Sequence, residues 1–126
     1  MKNAISTDRA PRPVGPYSQA IVAGGLVFVS GQGPIRPGTG KYEPGDVRAE
    51  TRQTFENVRA ILEAAGSSLE EVVKVNVYLR DMKDFAAMNE VYASTFRDPA
   101  PARTTIQAGA LPLGISVEID CIATRG

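Results

Sequence analysis

Two short runs rich in apolar residues, at positions 19–23 and 26–30, lie on either side of Gly24-Gly25. Paired glycines accept the positive φ angles of a two-residue turn, so this pattern predicts an antiparallel β-hairpin. The turn pairs Ile21 with Phe28, which fixes the side of the ladder that each residue occupies. One side then collects the polar groups of Tyr17, Gln19, Ser30 and Gln32, and the other, suited to a cover of helices, carries Ala20, Val22, Val27 and Val29.

A helix is predicted after a loop that is rich in glycine and proline, residues 33–45. The side chain of Asp46 suits the start of this helix and Gly66 suits its end. Between them, apolar side chains recur at intervals of three and four residues, which predicts an amphipathic helix over residues 47–65. Its charged residues are expected to stay in water: Arg48, Glu50, Arg52, Glu56, Arg59 and Glu63.

A strand and a second helix come next. Alternation of apolar and polar residues predicts a strand over residues 72–80. Asp81 is placed to cap a helix over residues 82–96, whose aromatic and methionine side chains indicate core packing. Asn89 is the polar exception on that helix. Its amide can hydrogen-bond a neighbouring loop or a ligand, and the residue type alone favours the structural role.

The last two runs, residues 103–109 and 115–124, predict a second antiparallel hairpin with Ala110 opposite Ile115. This register gives the hairpin an apolar face and a polar face. The apolar face carries Thr104, Ile106, Ala108, Val117, Ile119, Cys121 and Ala123, and the polar face carries Arg103, Thr105, Gln107, Glu118 and Asp120. The specific donors and acceptors of the polar face indicate a cleft.

Arg103 and Glu118 have the clearest chemistry on that face. A guanidinium grips a carboxylate through two parallel hydrogen bonds, and a glutamate half-buried in a β-branched strand needs a partner or a proton. The pair therefore indicates a small anionic substrate. In the predicted register Arg103 lies opposite Ile122, roughly 13 Å along the strands from Glu118, so a direct ion pair is not predicted. Three alternatives would bring the two side chains to one site: a bridging ligand, a bulge at Gly109, or a contribution from a second subunit.

Composition narrows the class of protein. The 126 residues, 43% apolar, predict a single domain over residues 1–126 that is small enough for exposed sheet faces to favour oligomerisation. Fourteen basic and fourteen acidic residues cancel, which argues against nucleic acid and membranes as partners. Without a signal-peptide pattern or an apolar run of roughly 20 residues, a soluble cytoplasmic protein is expected. The lone cysteine allows no internal disulfide.

The sequence contains no histidine, which excludes Ser-His-Asp hydrolysis, Cys-His proteolysis and the usual zinc sites. A carboxylate is then the simplest proton carrier near neutral pH, provided that burial raises its pKa. No calcium loop, Walker-type lysine loop or dinucleotide glycine fingerprint occurs. We therefore expect no cofactor and no metal, with carboxylate-only metal binding as the open alternative.

Segments distributed along nearly the whole chain resemble the RidA (YjgF) family. They are Gly15-Pro16-Tyr17-Ser18-Gln19-Ala20, Phe28-Val29-Ser30-Gly31-Gln32, Asn57-Val58, Asp84-Phe85, Asn89-Glu90-Val91-Tyr92, Pro101-Ala102-Arg103 and Val117-Glu118-Ile119. The resemblance implies an α+β fold like that of chorismate mutase, with a mixed six-stranded sheet and two helices packed on one face. It further implies a homotrimeric barrel with clefts between the subunits.

The activity that the resemblance implies is a cofactor-independent enamine/imine deaminase. Such an enzyme hydrolyses 2-aminoacrylate and related 2-imino acids to 2-keto acids and ammonia, so its partners are small imino and keto acids. Imine hydrolysis needs a positioned water and one proton-transfer group, which suits a chain without histidine.

The resemblance also implies roles for individual residues. Arg103 binds the substrate carboxylate together with the backbone N–H of Thr105, and Glu118 holds or activates the attacking water. Many members have cysteine where this chain has Thr105, so no thiol acts at that position here. Cys121 falls on the predicted core face and is no substitute. The remaining substrate-binding candidates are Tyr17, Ser30, Gly31 and Asn89.

Two other functions are compatible with these residues. One is a related deaminase with a larger substrate such as 2-aminomuconate, because selectivity depends on the shape of the cavity. The other is a ligand-binding or regulatory trimer without enzymatic activity. The ribonuclease or translation-inhibitor role sometimes assigned to the family is least favoured, because zero net charge and absent histidine suit RNA cleavage poorly.

Overall fold

In the computed structural model, which describes residues 1–125, six β-strands form one mixed sheet and two α-helices pack on one of its faces. The strands are β1 (Asn3–Ile5), β2 (Ala20–Ala23), β3 (Leu26–Gln32), β4 (Val72–Leu79), β5 (Ala102–Gln107) and β6 (Val117–Thr124), and the helices are α1 (Val47–Ala64) and α2 (Phe85–Thr95). The expected α+β fold with six strands is confirmed. Neither helix of residues 1–125 is long and apolar enough to cross a membrane.

The strands lie in the order β1-β2-β3-β6-β4-β5. Strands β4 and β5 are parallel, and the other neighbouring strands are antiparallel. Each strand turns alternate side chains toward the helices, and the core forms between those side chains and α1 and α2. Nothing in residues 1–125 covers the opposite face of the sheet, and Phe28 on that face is 41% exposed.

The first hairpin has the predicted turn and register. Gly24 and Gly25 have φ angles of 58° and 77°, and Ile21 pairs with Phe28. The side predicted to lie under the helices is buried at all four of its positions. A local signal, the paired glycines, was sufficient to place these strands.

Two glutamines predicted for the polar side of this hairpin are instead buried, Gln19 at 2% and Gln32 at 6% exposure. The Gln19 amide donates to three backbone carbonyls of the N-terminal segment and so anchors that segment. Gln32 changes side because the register between β3 and β6 shifts after Val29, which lets Gln32 pair with the buried Ile119. Such a bulge adds a residue to one strand and reverses the alternation beyond it.

Helix α1 begins and ends as predicted. The Asp46 carboxylate accepts a hydrogen bond from Ala49 N at 2.8 Å, and Gly66, with a φ of 80°, follows the last turn. One expectation for this helix is wrong. Glu50, predicted to lie in water, is 4% exposed, because donors from the preceding loop and from the distant Ser116 surround its carboxylate. The other five charged residues are exposed as predicted.

Strand β4 and the second helix lie where the pattern predicts, with differences at their starts. Val73 is exposed, because the register with β6 shifts between Val72 and Lys74. Asp81 caps a short 3₁₀ turn, Met82–Asp84, by accepting from Lys83 N at 2.9 Å, and α2 follows it. Three side chains of α2 reach the core: Met88, Val91 and Tyr92.

The predicted second hairpin is wrong, because β5 and β6 do not pair. Strand β4 lies between them, parallel to β5 and antiparallel to β6. The connection crosses the end of β4: Ala108 N donates to Leu79 O, and Arg80 N donates to Ser116 O. A middle strand that pairs on both sides satisfies more backbone groups than a two-stranded hairpin, so this long-range pairing prevails over a local turn.

Candidate active site

Arg103 lies on edge strand β5 and points toward the helix-covered side of the sheet, since its partner in the ladder is the buried Val75. Its Nη1 donates to Asn89 Oδ1 at 2.8 Å. The guanidinium carbon lies 4.5 Å from the centre of the Tyr92 ring and 5.5 Å from that of Phe85. Helix α2 therefore holds the arginine by one hydrogen bond and two cation–π contacts.

The part of the chain that the structure describes does not neutralise the charge of Arg103. Within residues 1–125 the guanidinium, which is half-buried, forms no ion pair with a carboxylate. Two buried hydroxyls on the same side of the sheet, Thr105 Oγ1 and Tyr92 Oη, also have no hydrogen-bond partner in that part of the chain. We name Arg103, Asn89, Thr105, Tyr92 and Phe85 the arginine patch. It offers a fixed positive charge and unused hydrogen-bonding capacity, which suits a small anion.

Glu118 lies on β6 opposite Tyr78, on the face of the sheet that the helices leave open. Its neighbour on this face, Asp120, accepts hydrogen bonds from Asn76 at 2.9 Å and Tyr78 at 3.0 Å, whereas Glu118 accepts none within residues 1–125. Partial burial, and secondly the charge of Asp120, raise the pKa of the Glu118 carboxyl above its usual value. A carboxylate with a raised pKa is suited to exchange protons closer to neutral pH.

The bulge of β3 brings Gly31 against this carboxylate. A Cβ atom at Gly31 would lie 2.6 Å from Glu118 Oε2, so the close approach requires glycine. The preceding Ser30 donates from Oγ to Ser18 O at 2.6 Å and thereby holds the segment that carries Tyr17. The Tyr17 hydroxyl accepts from Val14 N at 3.3 Å, and its side chain is exposed. We name Glu118, Gly31, Ser30 and Tyr17 the glutamate patch.

The two patches do not meet within one chain. The prediction that Arg103, Thr105 and Glu118 share a face is wrong, because β5 pairs with β4 in a parallel register that turns Arg103 and Thr105 toward the helices. Glu118 pairs with Tyr78 and points the other way. The sheet separates the two sets of side chains, so a site that uses both must combine two copies of the chain.

Phe85 and Tyr92 contact Arg103 as well as the core, and the sequence pattern predicts only the core packing. A signal was present: Phe85, Asn89 and Tyr92 are spaced four and three residues apart, which places them on one side of a helix. Asn89 is the polar exception on that side of the helix. The structure shows that its amide faces the arginine rather than a loop.

Comparisons with known proteins place this chain in a family. The profile of the Endoribonuclease L-PSP family matches residues 7–125. A RutC family protein of Pyrococcus horikoshii is 54% identical over 125 residues, which cover 99% of both chains. The 2-iminobutanoate/2-iminopropanoate deaminase of Dermatophagoides farinae is 43% identical over 121 residues, 96% of this chain and 94% of its own.

A solved structure agrees in fold over almost the whole length. The crystal structure of E. coli TdcF with bound serine matches with a TM-score of 0.91 and 41% identity, covering 98% of this chain and 99% of that one. Identities above 40% over nearly complete chains exceed what a shared fold alone requires. From the profile match and these relatives, the chain belongs to the Ribonuc_L-PSP (YjgF/RidA) family.

Proposed function

We propose that this protein is an imine/enamine deaminase that hydrolyses 2-aminoacrylate and related 2-imino acids to 2-keto acids and ammonia. The observation that carries the proposal is Arg103, a half-buried guanidinium fixed by Asn89 and Tyr92 without a carboxylate partner in residues 1–125. Such a group is preorganised for a small carboxylate. The mite relative named 2-iminobutanoate/2-iminopropanoate deaminase and the serine bound to TdcF support a substrate of this class.

The proposed reaction uses one anchor and one proton-transfer group. Arg103 binds the substrate carboxylate through two N–H groups, assisted by the backbone N–H of Thr105. Glu118 takes a proton from water as the water oxygen bonds to the imine carbon, and the proton passes to the nitrogen. Glu118 then moves the hydroxyl proton of this intermediate to the same nitrogen as the carbon–nitrogen bond breaks and the carbon–oxygen double bond forms, which releases ammonia and leaves the 2-keto acid. An enamine such as 2-aminoacrylate first gains a proton at its terminal carbon and loses one from its nitrogen, which gives the imine.

We further propose that three copies assemble so that the arginine patch of one copy meets the glutamate patch of the next. The opposite orientations of Arg103 and Glu118 support a shared site. The open sheet face supports assembly, since it leaves Ile21, Phe28 and Ile106 without cover among the described residues. A closed ring of identical contacts would cover all three faces equally. Light scattering of the purified protein is expected to give three times the mass of the chain, and a stable monomer would contradict this assembly.

The activity is tested with 2-aminoacrylate generated in place by a serine dehydratase. The loss of imine is followed with and without the purified protein, and the keto acid and ammonia are quantified as products. Faster decay with equal yields of both products is expected. Decay at the rate of buffer alone would contradict the deaminase function.

Gly31→Ala tests the contact between the bulge and Glu118. We expect kcat/KM for imine hydrolysis to fall by about 100-fold, the effect of displacing a reacting group by roughly 1 Å. The fold should survive, because the added methyl group meets the end of a flexible side chain. Gly109→Ala is the matched control, since a Cβ atom there meets nothing within 4 Å. Equal kcat/KM for the two variants would show that this close approach does not matter to the reaction.

A further inference from the structure

Glu50 is a buried carboxylate that the proposed reaction does not use. It lies in the first turn of α1 and is 4% exposed. No lysine or arginine within residues 1–125 forms an ion pair with it. A buried charge without an ionic partner persists when hydrogen-bond donors surround it, and a negative charge is also favoured in the first turn of a helix.

Donors from the loop just before α1 and from Ser116, 66 residues away, meet at this carboxylate. Oε1 accepts from Ser116 N at 3.1 Å and from Ser116 Oγ at 2.8 Å. Oε2 accepts from Gly45 N at 3.1 Å, and the Tyr42 hydroxyl lies 3.0 Å from both oxygens. Every partner can donate. Glutamine would place an N–H₂ group against at least one N–H donor, so the carboxylate is chemically required at this site.

The first of these contacts fixes the start of β6. Ser116 immediately precedes β6 and is two residues before Glu118. Its carbonyl accepts from Arg80 N at 2.9 Å, so the residue is held by α1 on one side and by the end of β4 on the other. The position of Ser116 therefore sets the register of Glu118 relative to the neighbouring strands β3 and β4.

A second polar residue of α1 fixes the strand on the other side of Glu118. The Asn57 amide, fully buried, donates to Gly33 O and to Ile35 O, each at 2.9 Å. Gly33 is two residues after Gly31. Helix α1 therefore holds the chain two residues from Gly31 and two residues from Glu118, the pair whose contact leaves no room for a Cβ atom.

We propose that Glu50 is a positioning residue for imine hydrolysis, which through Ser116 sets the register in which Glu118 lies against Gly31. This inference rests on the proposed function. Glu50 contacts none of the groups that we assign to the substrate. Its loss should change the environment of the Glu118 carboxylate. The arginine patch should stay intact, because within residues 1–125 none of its members hydrogen-bonds Glu50 or the donors around it.

The test compares Glu50→Gln with Glu56→Gln, the same change at an exposed position of the same helix. For Glu50→Gln we expect kcat for 2-aminoacrylate to fall at least about tenfold while KM stays within about twofold. We also expect the acidic limb of the kcat–pH profile to move. Glu56→Gln should match the wild type in all three quantities.

A merely structural role predicts a different result. A loss of kcat that equals the unfolded fraction, with the acidic limb unmoved, would overturn the proposal, as would wild-type kinetics for Glu50→Gln. If that variant does not fold, Ser116→Ala removes one donor of the cluster and retains the backbone contact. It should show a smaller loss of kcat and a shift of the limb in the same direction, and an unmoved limb would again overturn the proposal.

A titration of the Glu118 carboxyl by carbon-13 NMR separates this proposal from the proposed function. If the wild-type protein does not hydrolyse the imine, the deaminase function fails, and the titration still shows whether Glu50 positions Glu118. Its midpoint should differ between wild type and Glu50→Gln and agree between wild type and Glu56→Gln. Equal midpoints in all three proteins would overturn the positioning role.

Discussion

Replacing Arg103 with alanine is expected to lower kcat/KM for 2-aminoacrylate hydrolysis by about 1000-fold. Two charge-assisted hydrogen bonds to the substrate carboxylate contribute about 2 kcal/mol each, and about 4 kcal/mol corresponds to that factor. The fold should be retained, because Arg103 lies at the edge of the sheet and makes one side-chain hydrogen bond to α2. The measurement is steady-state kinetics, with circular dichroism to compare folding.

Arg103→Lys distinguishes charge from geometry at the same position. Lysine keeps the positive charge and lacks the planar fork that binds a carboxylate through two parallel bonds and stacks on the Tyr92 ring. We expect a smaller loss than for alanine, mostly in KM. Arg59→Ala is the matched control, because Arg59 is exposed on α1 and pairs with its neighbour Glu56. An Arg103→Ala variant with the kinetics of this control would remove Arg103 from substrate binding.

Local signals were enough to predict much of the fold. Gly24-Gly25 fixed a hairpin and its register, and Asp46 marked the first residue before α1. Both signals act over a few residues, so neighbours in sequence carry them. The predicted pairing of β5 with β6 is wrong because β4, which comes earlier in the chain, pairs with both of them. Alternation shows that a segment is a strand and does not show which strand it pairs with.

At the candidate site too, local signals predict the residue types and long-range pairing decides where they lie. Residue chemistry predicts that Arg103 and Glu118 are the principal groups, and their estimated separation leaves a second subunit as one way to join them. The face of the sheet that Arg103 occupies depends on the pairing of β5 with β4. No local sequence pattern predicts that pairing. Glu50 was placed in water because its charge and spacing suit an exposed helix position. Its burial depends on Ser116, 66 residues away.

Glu118→Gln is expected to lower kcat by about 100- to 10,000-fold, the range of general acid–base catalysis, while binding of the keto-acid product is retained. Glutamine has the same shape as glutamate, so the contact with Gly31 persists, and the arginine patch is unaltered. Product binding is measured by calorimetry and turnover by imine loss. Turnover at the wild-type rate would show that the water needs no help from this carboxylate.

The raised pKa of Glu118 gives this variant two pH signatures. If the carboxylate is the base, the wild-type rate rises with pH through that pKa, and the limb is absent from Glu118→Gln. The pH dependence of the folding stability has the opposite sign to that of the rate. A carboxyl whose pKa is higher in the folded state binds its proton more tightly there, so wild-type stability falls as pH rises from the usual glutamate value through the raised one. Relative to wild type, Glu118→Gln should gain stability across that window, measured by urea unfolding.

Mixing the two inactive variants tests whether the site is shared between copies. If Arg103 and Glu118 of one site come from different subunits, refolding equal amounts of Arg103→Ala and Glu118→Gln together places both intact residues at about a quarter of the sites. About a quarter of wild-type activity should then appear, although each variant refolded alone stays inactive. Activity equal to the mean of the separate variants would mean that each site draws both residues from one chain. The side-chain directions in the sheet favour recovery, because Arg103 and Glu118 point away from each other across β4.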